Sequence, residues 1–145
     1  LLASGQHVAA DRVLRGILQR DPKNAEALLA LGVSAMETGN GPRAVDLIGR
    51  AARLAPGSAM VAGNLAQALS VAGRHREALA AYDRALASMP DSADLLINRG
   101  LAALALGGEA SAADAAETTT RAAEAAAAAE QLTMGILMRD MMPTS

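Results

Sequence analysis

The sequence has no cysteine, no tryptophan and no phenylalanine, and Tyr82 is its only aromatic residue. The lack of cysteine excludes disulfide bonds, thiol nucleophiles and thiolate metal ligands. Apolar residues make up 52% of the chain, but alanine dominates them, so the core must form by close approach of backbones instead of interlocking rings. Alanine has the highest helix propensity, and the β-branched and aromatic runs typical of strands are missing. Composition therefore predicts an all-α protein.

An excess of one charge is also missing. The chain has 13 Lys and Arg against 15 Asp and Glu, a net charge of -2, so we expect no nucleic-acid partner. The longest uncharged run lies between Arg53 and Arg74, and it contains Pro56, Asn64 and Gln67, which argues against direct membrane insertion. No phosphate-binding loop or other enzyme signature is present, so the sequence predicts no catalytic residue, no metal site and no cofactor.

What the sequence does contain is a period of 34 residues. It is marked by Gly5, Gly39, Gly73 and Gly107, by Ala10, Ala44, Ala78 and Ala112, and by Pro22, Pro56 and Pro90. Such a period is the signature of a helical repeat array. In each unit Asn24, Ser58 or Ser92 can cap the start of the first helix. The glycines permit the left-handed turn between the two helices, and the prolines end the second helix.

These signals predict seven helices, near residues 7–20, 25–38, 42–54, 59–72, 76–88, 93–106 and 109–130. Small residues at Gly32, Ala66 and Gly100 would let the two helices of each hairpin approach closely.

Three sets of residues point to a family. They are Leu31-Gly32, Leu65-Ala66 and Arg99-Gly100 in the first helices, Leu14, Ile48 and Tyr82 in the second helices, and Ile17, Ala51 and Ala85 three residues further on. In these features the chain resembles the tetratricopeptide repeat family. The resemblance implies an α-solenoid of antiparallel helix hairpins that stack into a right-handed superhelix, with about three and a half repeats.

On this pattern the chain divides into five parts. Residues 1–24 would be the second helix of a partial repeat, 25–58 and 59–92 would be full repeats, 93–126 a degenerate repeat, and 127–145 a capping or tail segment. The degeneracy is visible at Thr119 and Thr120, which occupy sites that are apolar elsewhere, and at Glu124, which replaces the terminating proline. Ala122–Ala129 strongly favours helix, so we expect the last helix to continue past the repeat boundary.

The apolar stretch Leu132–Met142 holds four of the seven methionines. In a helix, Met134, Leu137, Met138 and Met141 share one face. Three interpretations remain open. The segment caps the last hairpin, it docks in the groove of a neighbouring copy and makes a homo-oligomer, or it is a disordered or linking segment. Methionines suit adaptable surfaces and do not separate the first two.

The two histidines, His7 and His75, are two periods apart, and each follows a repeat glycine by two residues. We therefore expect both in the turn before a second helix. Stacked repeats would hold them too far apart to share a metal ion, so we interpret both as solvated turn residues.

The resemblance also implies a binding site, because the first helices of this family line a concave groove. The positions it assigns to a peptide-binding groove are Leu29, Val33, Met36, Asn64, Gln67, Ile97, Asn98 and Leu101. Asn64 and Asn98 are one period apart, and their amides offer a donor and an acceptor to the backbone of an extended peptide. The alternative is that both amides are simply hydrated. The cationic clamp that one subfamily uses for the acidic C-termini of heat-shock chaperones is missing, so we do not expect that function.

The leading hypothesis is a non-catalytic scaffold that binds a peptide or helix of a protein partner and self-associates through its Met-rich end. The alternative is the N-terminal repeat region of a larger bacterial enzyme, such as a glycosyltransferase or a sulfotransferase. The chain begins at Leu1, without Met and in mid-repeat, so we expect the native N-terminus to lie upstream. With no signal peptide visible, we expect a cytoplasmic location.

Overall fold

The computed structural model describes residues 4–107 and 109–142, and their side chains except at residues 4 and 109–112. In this part of the chain there are seven helices and no strand, which confirms the all-α solenoid. The helices are α1 Ser4–Arg20, α2 Ala25–Glu37, α3 Gly41–Leu54, α4 Ala59–Val71, α5 His75–Ser88, α6 Ala93–Leu106 and α7 Glu109–Met141. Helices α2 to α6 begin and end within one residue of the prediction. Helix α1 begins three residues earlier than predicted, and α7 continues eleven residues further.

The starts of α2, α4 and α6 are fixed by the predicted caps. The side chains of Asn24, Ser58 and Ser92 accept hydrogen bonds from the third backbone amide of their helices. Each cap satisfies an amide that has no partner within its helix, which stabilises the helix by about 1 kcal/mol. Asn40 caps α3 in the same way.

The turns inside the hairpins also follow the sequence. Gly39, Gly73 and Gly107 have φ angles of 77°, 78° and 77°, a region that residues with a Cβ rarely adopt. Gly5 differs, because it lies inside α1. The prediction that this glycine marks a turn is therefore wrong.

Small residues bring the helices of each hairpin into direct contact. A Cβ on Gly32 would collide with the side chain of Ile48, which is fully buried. In the next hairpin Ala66 packs in one cluster with Tyr82, and the two are 0% and 1% exposed. The single aromatic ring thus fills a core otherwise made of alanine and leucine.

The helices form two rows of a curved stack. Helix α2 also contacts α4, and α4 contacts α6, whereas in the described residues α1, α3, α5 and α7 do not contact one another. Helices on the inside of a curve lie closer together than those on the outside. We therefore call α2, α4 and α6 the inner helices, and α1, α3 and α5 the outer helices.

Helix α7 presents a different face from the corresponding outer helices. Residues 115, 116 and 119 lie one period after the buried residues Ala81, Tyr82 and Ala85. Of these three, only Ala115 is buried. The buried face of α7 instead continues through Thr118 and Ala122. Thr119 and Thr120 are exposed, and their hydroxyls donate to carbonyls of their own helix, that of Thr119 beside Gly100 of α6. The one buried hydroxyl on this face, that of Thr118, is hydrogen-bonded to the Asp114 carbonyl, which avoids the cost of an unsatisfied buried polar group.

Arg99 joins three helices at the site where the first two repeats have leucine. Its Nε donates to Asp83 Oδ1 of α5 at 2.6 Å, and its Nη1 donates to Asp114 Oδ1 of α7 at 2.8 Å and to Thr118 Oγ1 at 3.0 Å. Only 17% of the Arg99 side chain is exposed. The hydrogen bond to Asp83, more than the one to Asp114, raises the pKa of Arg99, against the opposing effect of burial. This cation links α6 to α7.

Beyond residue 125 all described side chains of α7 are exposed, and we call residues 126–141 the distal segment. The predicted apolar stretch is its second half, continuous with the rest of α7. Its side chains are 49% to 83% exposed, at Leu132, Met134, Ile136, Leu137, Met138 and Met141. Of these side chains, Leu132 lines a pocket beside the last hairpin together with Pro90 and Leu96.

Candidate peptide-binding groove

A cleft of about 430 Å³ opens between the inner helices α4 and α6. Its lining from α4 includes Met60, Gly63, Asn64 and Gln67, and its lining from α6 includes Asp94, Leu95, Ile97 and Asn98. The cleft exists because the two helices stand one repeat apart with their exposed faces turned the same way. It combines apolar side chains with amides and one carboxylate, as a binding site for a peptide does.

Four of the eight sequence-predicted groove residues meet in this cleft: Asn64, Gln67, Ile97 and Asn98. The other four do not line it. Leu29 and Met36 are half-buried and pack against the core of the first hairpin, and Val33 is half-buried on the same helix. Leu101 lies on α6 outside the cleft and is 58% exposed.

The two asparagines are not equivalent. Nδ2 of Asn64 donates to the Met60 carbonyl of its own helix at 3.0 Å. One of the two N–H groups of that amide is therefore used, and Asn64 still offers its Oδ1 and its second N–H to a ligand. Asn98 is half-buried on the facing helix.

The eight predicted positions leave out seven other residues that line the cleft: Ala59, Met60, Gly63, Met89, Ser92, Asp94 and Leu95. Met89 and Ser92 precede α6, and only positions within the first helices had been considered. Leu95 comes close to α4, since a Cβ on Gly63 would lie 2.9 Å from Leu95 Cδ2. The glycine at position 63 was the available signal, because a glycine inside a helix often marks a close approach.

The prediction that both histidines are solvated turn residues is wrong. His7 lies within α1, its side chain is 16% exposed, and its Nε2 lies 3.8 Å from Glu37 Oε2. His75 is the first residue of α5 and is half-buried, and its Nδ1 is buried without a hydrogen-bond partner among the described residues. Both belong to helix packing.

Two other kinds of feature are absent from the described residues. Nowhere in residues 4–107 and 109–142 do three or more His, Asp or Glu side chains gather closely enough to hold a metal ion. Over the same residues, no helix combines the length and the apolar character needed to cross a membrane.

Comparison with known proteins identifies the family of the repeats and the residues that they span. Models of the tetratricopeptide repeat family match residues 1–69 and residues 64–133. A search of curated protein sequences gave no significant match.

Solved structures share the fold. MamA of strain MSR-1 superposes with a TM-score of 0.76 at 21% identity, over 87% of this chain and 71% of that one. MamA from Desulfovibrio magneticus RS-1 gives 0.76 at 21% identity, over 83% and 67%. A mutant O-GlcNAc transferase from Thermobaculum terrenum gives 0.63 at 33% identity, over 68% of this chain but only 19% of that one.

Proposed function

We propose, since the chain belongs to the tetratricopeptide repeat family, that it is a non-catalytic scaffold whose inner groove binds a peptide or a helix of a protein partner. Repeats of this family indicate a protein–protein interaction module. The observation that carries the proposal is the cleft between α4 and α6, in which Asn64, Gln67, Ile97 and Asn98 come together.

The chemistry of this cleft suits a peptide. Ile97 and Met60 are 47% and 63% exposed, so they offer apolar area that a partner would bury, at about 25 cal/mol per Å². Asn64 Oδ1 and the Asn98 amide provide hydrogen-bonding groups for a peptide backbone, which makes binding tolerant of the partner's side chains. Neither group supplies a nucleophile or a general base, so the proposed role is binding without catalysis and without a cofactor.

Calorimetric titration with a library of short peptides tests the groove. Replacing both asparagines, Asn64→Ala with Asn98→Ala, is expected to weaken the tightest peptide about tenfold, because two backbone hydrogen bonds are lost at about 0.7 kcal/mol each. Gln19→Ala is the matched control, since it removes an exposed amide from the outer helix α1. Unchanged affinity in the double variant would contradict the role of the asparagines.

A second role, self-association through the distal segment, is supported by the exposure of its apolar side chains. Met134, Leu137, Met138 and Met141 share one face, while Leu132 and Ile136 continue the opposite, core-facing side of α7. A helix that is apolar on both sides is typically buried. We expect deletion of residues 131–145 to lower the mass measured by light scattering, and an equal mass would exclude the segment as the assembly element.

The alternative role, as the repeat region of a larger bacterial enzyme, is supported by the 33% identity to the O-GlcNAc transferase, of which this chain covers 19%. The full reading frame of the gene tests it. A catalytic domain after Ser145 would support the enzyme, and a stop codon directly after Ser145 would remove it.

The scaffold role is proposed for the cytoplasm, and fractionation of cells with an antibody to the chain tests that location.

A further inference from the structure

Charge is divided between the two rows of helices. The outer helices carry eight basic residues against four acidic ones: Arg12, Arg15, Arg20, Arg43, Arg50, Arg53, Arg76 and Arg84 against Asp11, Asp46, Glu77 and Asp83. The inner helices carry three acidic residues, Glu26, Glu37 and Asp94, and one basic residue, Arg99. The sign of the charge therefore reverses from the outside of the stack to the inside.

The one inner cation is not available to a ligand in the groove. Arg99 is held by Asp83 of α5 and by Asp114 of α7, both carboxylates of neighbouring helices. Its side chain is 17% exposed, and it does not line the cleft between α4 and α6. The groove face is therefore acidic.

Two of the carboxylates stand in line with an exposed apolar side chain. Glu26, Met60 and Asp94 are one period apart and begin the three inner helices. Met60 and Asp94 line the same cleft, and Glu26 is exposed on the helix before it. With neighbouring helices about 9 Å apart, the two carboxylates are separated by about 18 Å, the length of five to six residues of extended chain.

The hydrogen-bonding groups of the cleft favour the same kind of ligand. Asp94 is the one charged side chain among those that line the cleft, and Asn64 adds the acceptor Oδ1 beside the one N–H that its bond to the Met60 carbonyl leaves free. A site rich in acceptors and negative charge is complementary to a ligand rich in donors and positive charge.

We infer that the groove binds a cationic amphipathic peptide segment, with apolar residues on Met60 and Ile97 and with Lys or Arg beside Asp94 and Glu26. The inference rests on the proposed function and names the chemistry of its partner. The outer row, with its excess of arginine, repels such a segment and leaves the inner face as its docking surface.

A competing explanation concerns the helices alone. Glu26 and Asp94 lie in the first turns of α2 and α6, where a negative charge stabilises the helix dipole without any ligand. Under this explanation the carboxylates affect stability and leave peptide preference unchanged. The two explanations are separable by binding.

The test uses three peptides of about twelve residues, long enough to span both carboxylates. They share the same leucines and carry Lys, Gln or Glu at every other position. We expect the full chain to bind the Lys peptide about tenfold more tightly than the Glu peptide, and the difference to shrink between about 0.05 M and about 0.5 M salt. Glu26→Gln with Asp94→Asn is expected to remove most of the difference. Asp46→Asn on the outer helix α3, the matched control, is expected to retain it.

Equal binding of the three peptides, or a preference for the Glu peptide, would overturn the charge inference. A preference that survives in the Glu26→Gln, Asp94→Asn variant would overturn it as well. If all three peptides bind equally and lose affinity in the Asn64→Ala, Asn98→Ala variant, the groove proposal stands and the cationic partner is wrong. If none binds, both proposals are wrong.

Discussion

Alanine behaves differently in the hairpins and in the distal segment of α7. Ala44, Ala66 and Ala78 are 0% exposed and hold neighbouring helices together, whereas Ala126–Ala129 are exposed. In the hairpins alanine is used for its small size, which permits close packing. In the distal segment it is used for its helix propensity alone. Packing between helices therefore stabilises the hairpins, and helix propensity alone stabilises the distal segment. We expect the distal segment to open locally much more easily than the hairpins.

The largest expected difference between the regions is at their large side chains. Tyr82→Ala removes a ring that is 1% exposed from a core of alanine and leucine, and we expect it to lower the free energy of unfolding by about 4 kcal/mol. Leu137→Ala in the distal segment, where the side chain is 52% exposed, should cost less than about 0.5 kcal/mol. Urea unfolding followed by circular dichroism measures both. Similar losses for the two variants would mean that the distal segment packs as tightly as the hairpins.

The same substitution at two glycines should have opposite signs. Gly32→Ala places a Cβ against the buried Ile48 side chain, so overpacking should destabilise the protein by about 2 kcal/mol. Gly135→Ala in the distal segment meets nothing within 4 Å, and we expect it to stabilise the helix by about 1 kcal/mol. Thermal unfolding checks the signs. A destabilising Gly135→Ala would reveal a backbone approaching the distal segment from another molecule.

The attachment of α7 to the hairpins can be weakened at one residue. Arg99→Ala leaves Asp83 and Asp114 without their partner. Because these carboxylates are 57% and 39% exposed, we expect the free energy of unfolding to fall by about 1.5 kcal/mol, which is less than the cost of breaking a fully buried pair. Hydrogen exchange should accelerate in α7 and much less in α2 and α3. Arg99→Leu also removes the ion pairs but restores the leucine found in the earlier repeats, so it should cost less. An equal loss would show that the ion pairs, and not packing at this site, hold α7.

The smallest expected effect is a pH dependence of stability that arises from Tyr82 in the hairpin core. Burial raises the pKa of Tyr82 above its ordinary value. Because the folded pKa is above the unfolded one, the stabilisation is complete below the unfolded pKa and is lost as the pH rises through the folded pKa. We therefore expect the free energy of unfolding to fall as the pH rises above the unfolded pKa. Alkaline unfolding curves measure it, with Tyr82→Phe as the control, and an identical curve for that variant would contradict the assignment.

Most of the fold could be predicted because its signals are local. The caps Asn24, Ser58 and Ser92 and the turn glycines act within a few residues of their own position, so the sequence determined the ends of α2 to α6. The end of α7 was missed because no strong local stop occurs before Pro143. Gly135 weakens a helix but does not end it.

The candidate site could be predicted only in part, because it depends on contacts between helices. Asn64 and Asn98 followed from the period, but the bond from Asn64 to the Met60 carbonyl and the place of Leu95 in the cleft depend on side-chain orientation and helix spacing. Arg99 was visible as an exception at a leucine site. Its partners Asp83 and Asp114 became evident only when three helices were in place.

The exception at Arg99 also bears on how the chain finds its correct pairing. Three turns with nearly the same φ angle lie inside hairpins whose first helices have nearly the same length, so a slip by one repeat, or an exchange of hairpins between two molecules, would recreate contacts of the same kind. Arg99 is a charged residue at a site that holds leucine in the first two repeats, and its carboxylate partners among the described residues lie on α5 and α7. In a misregistered pairing the cation would be buried beside leucine sites at a high energetic cost. The ion pairs of Arg99 with Asp83 and Asp114 therefore distinguish the third hairpin from the first two, and they favour the correct pairing of otherwise similar repeats.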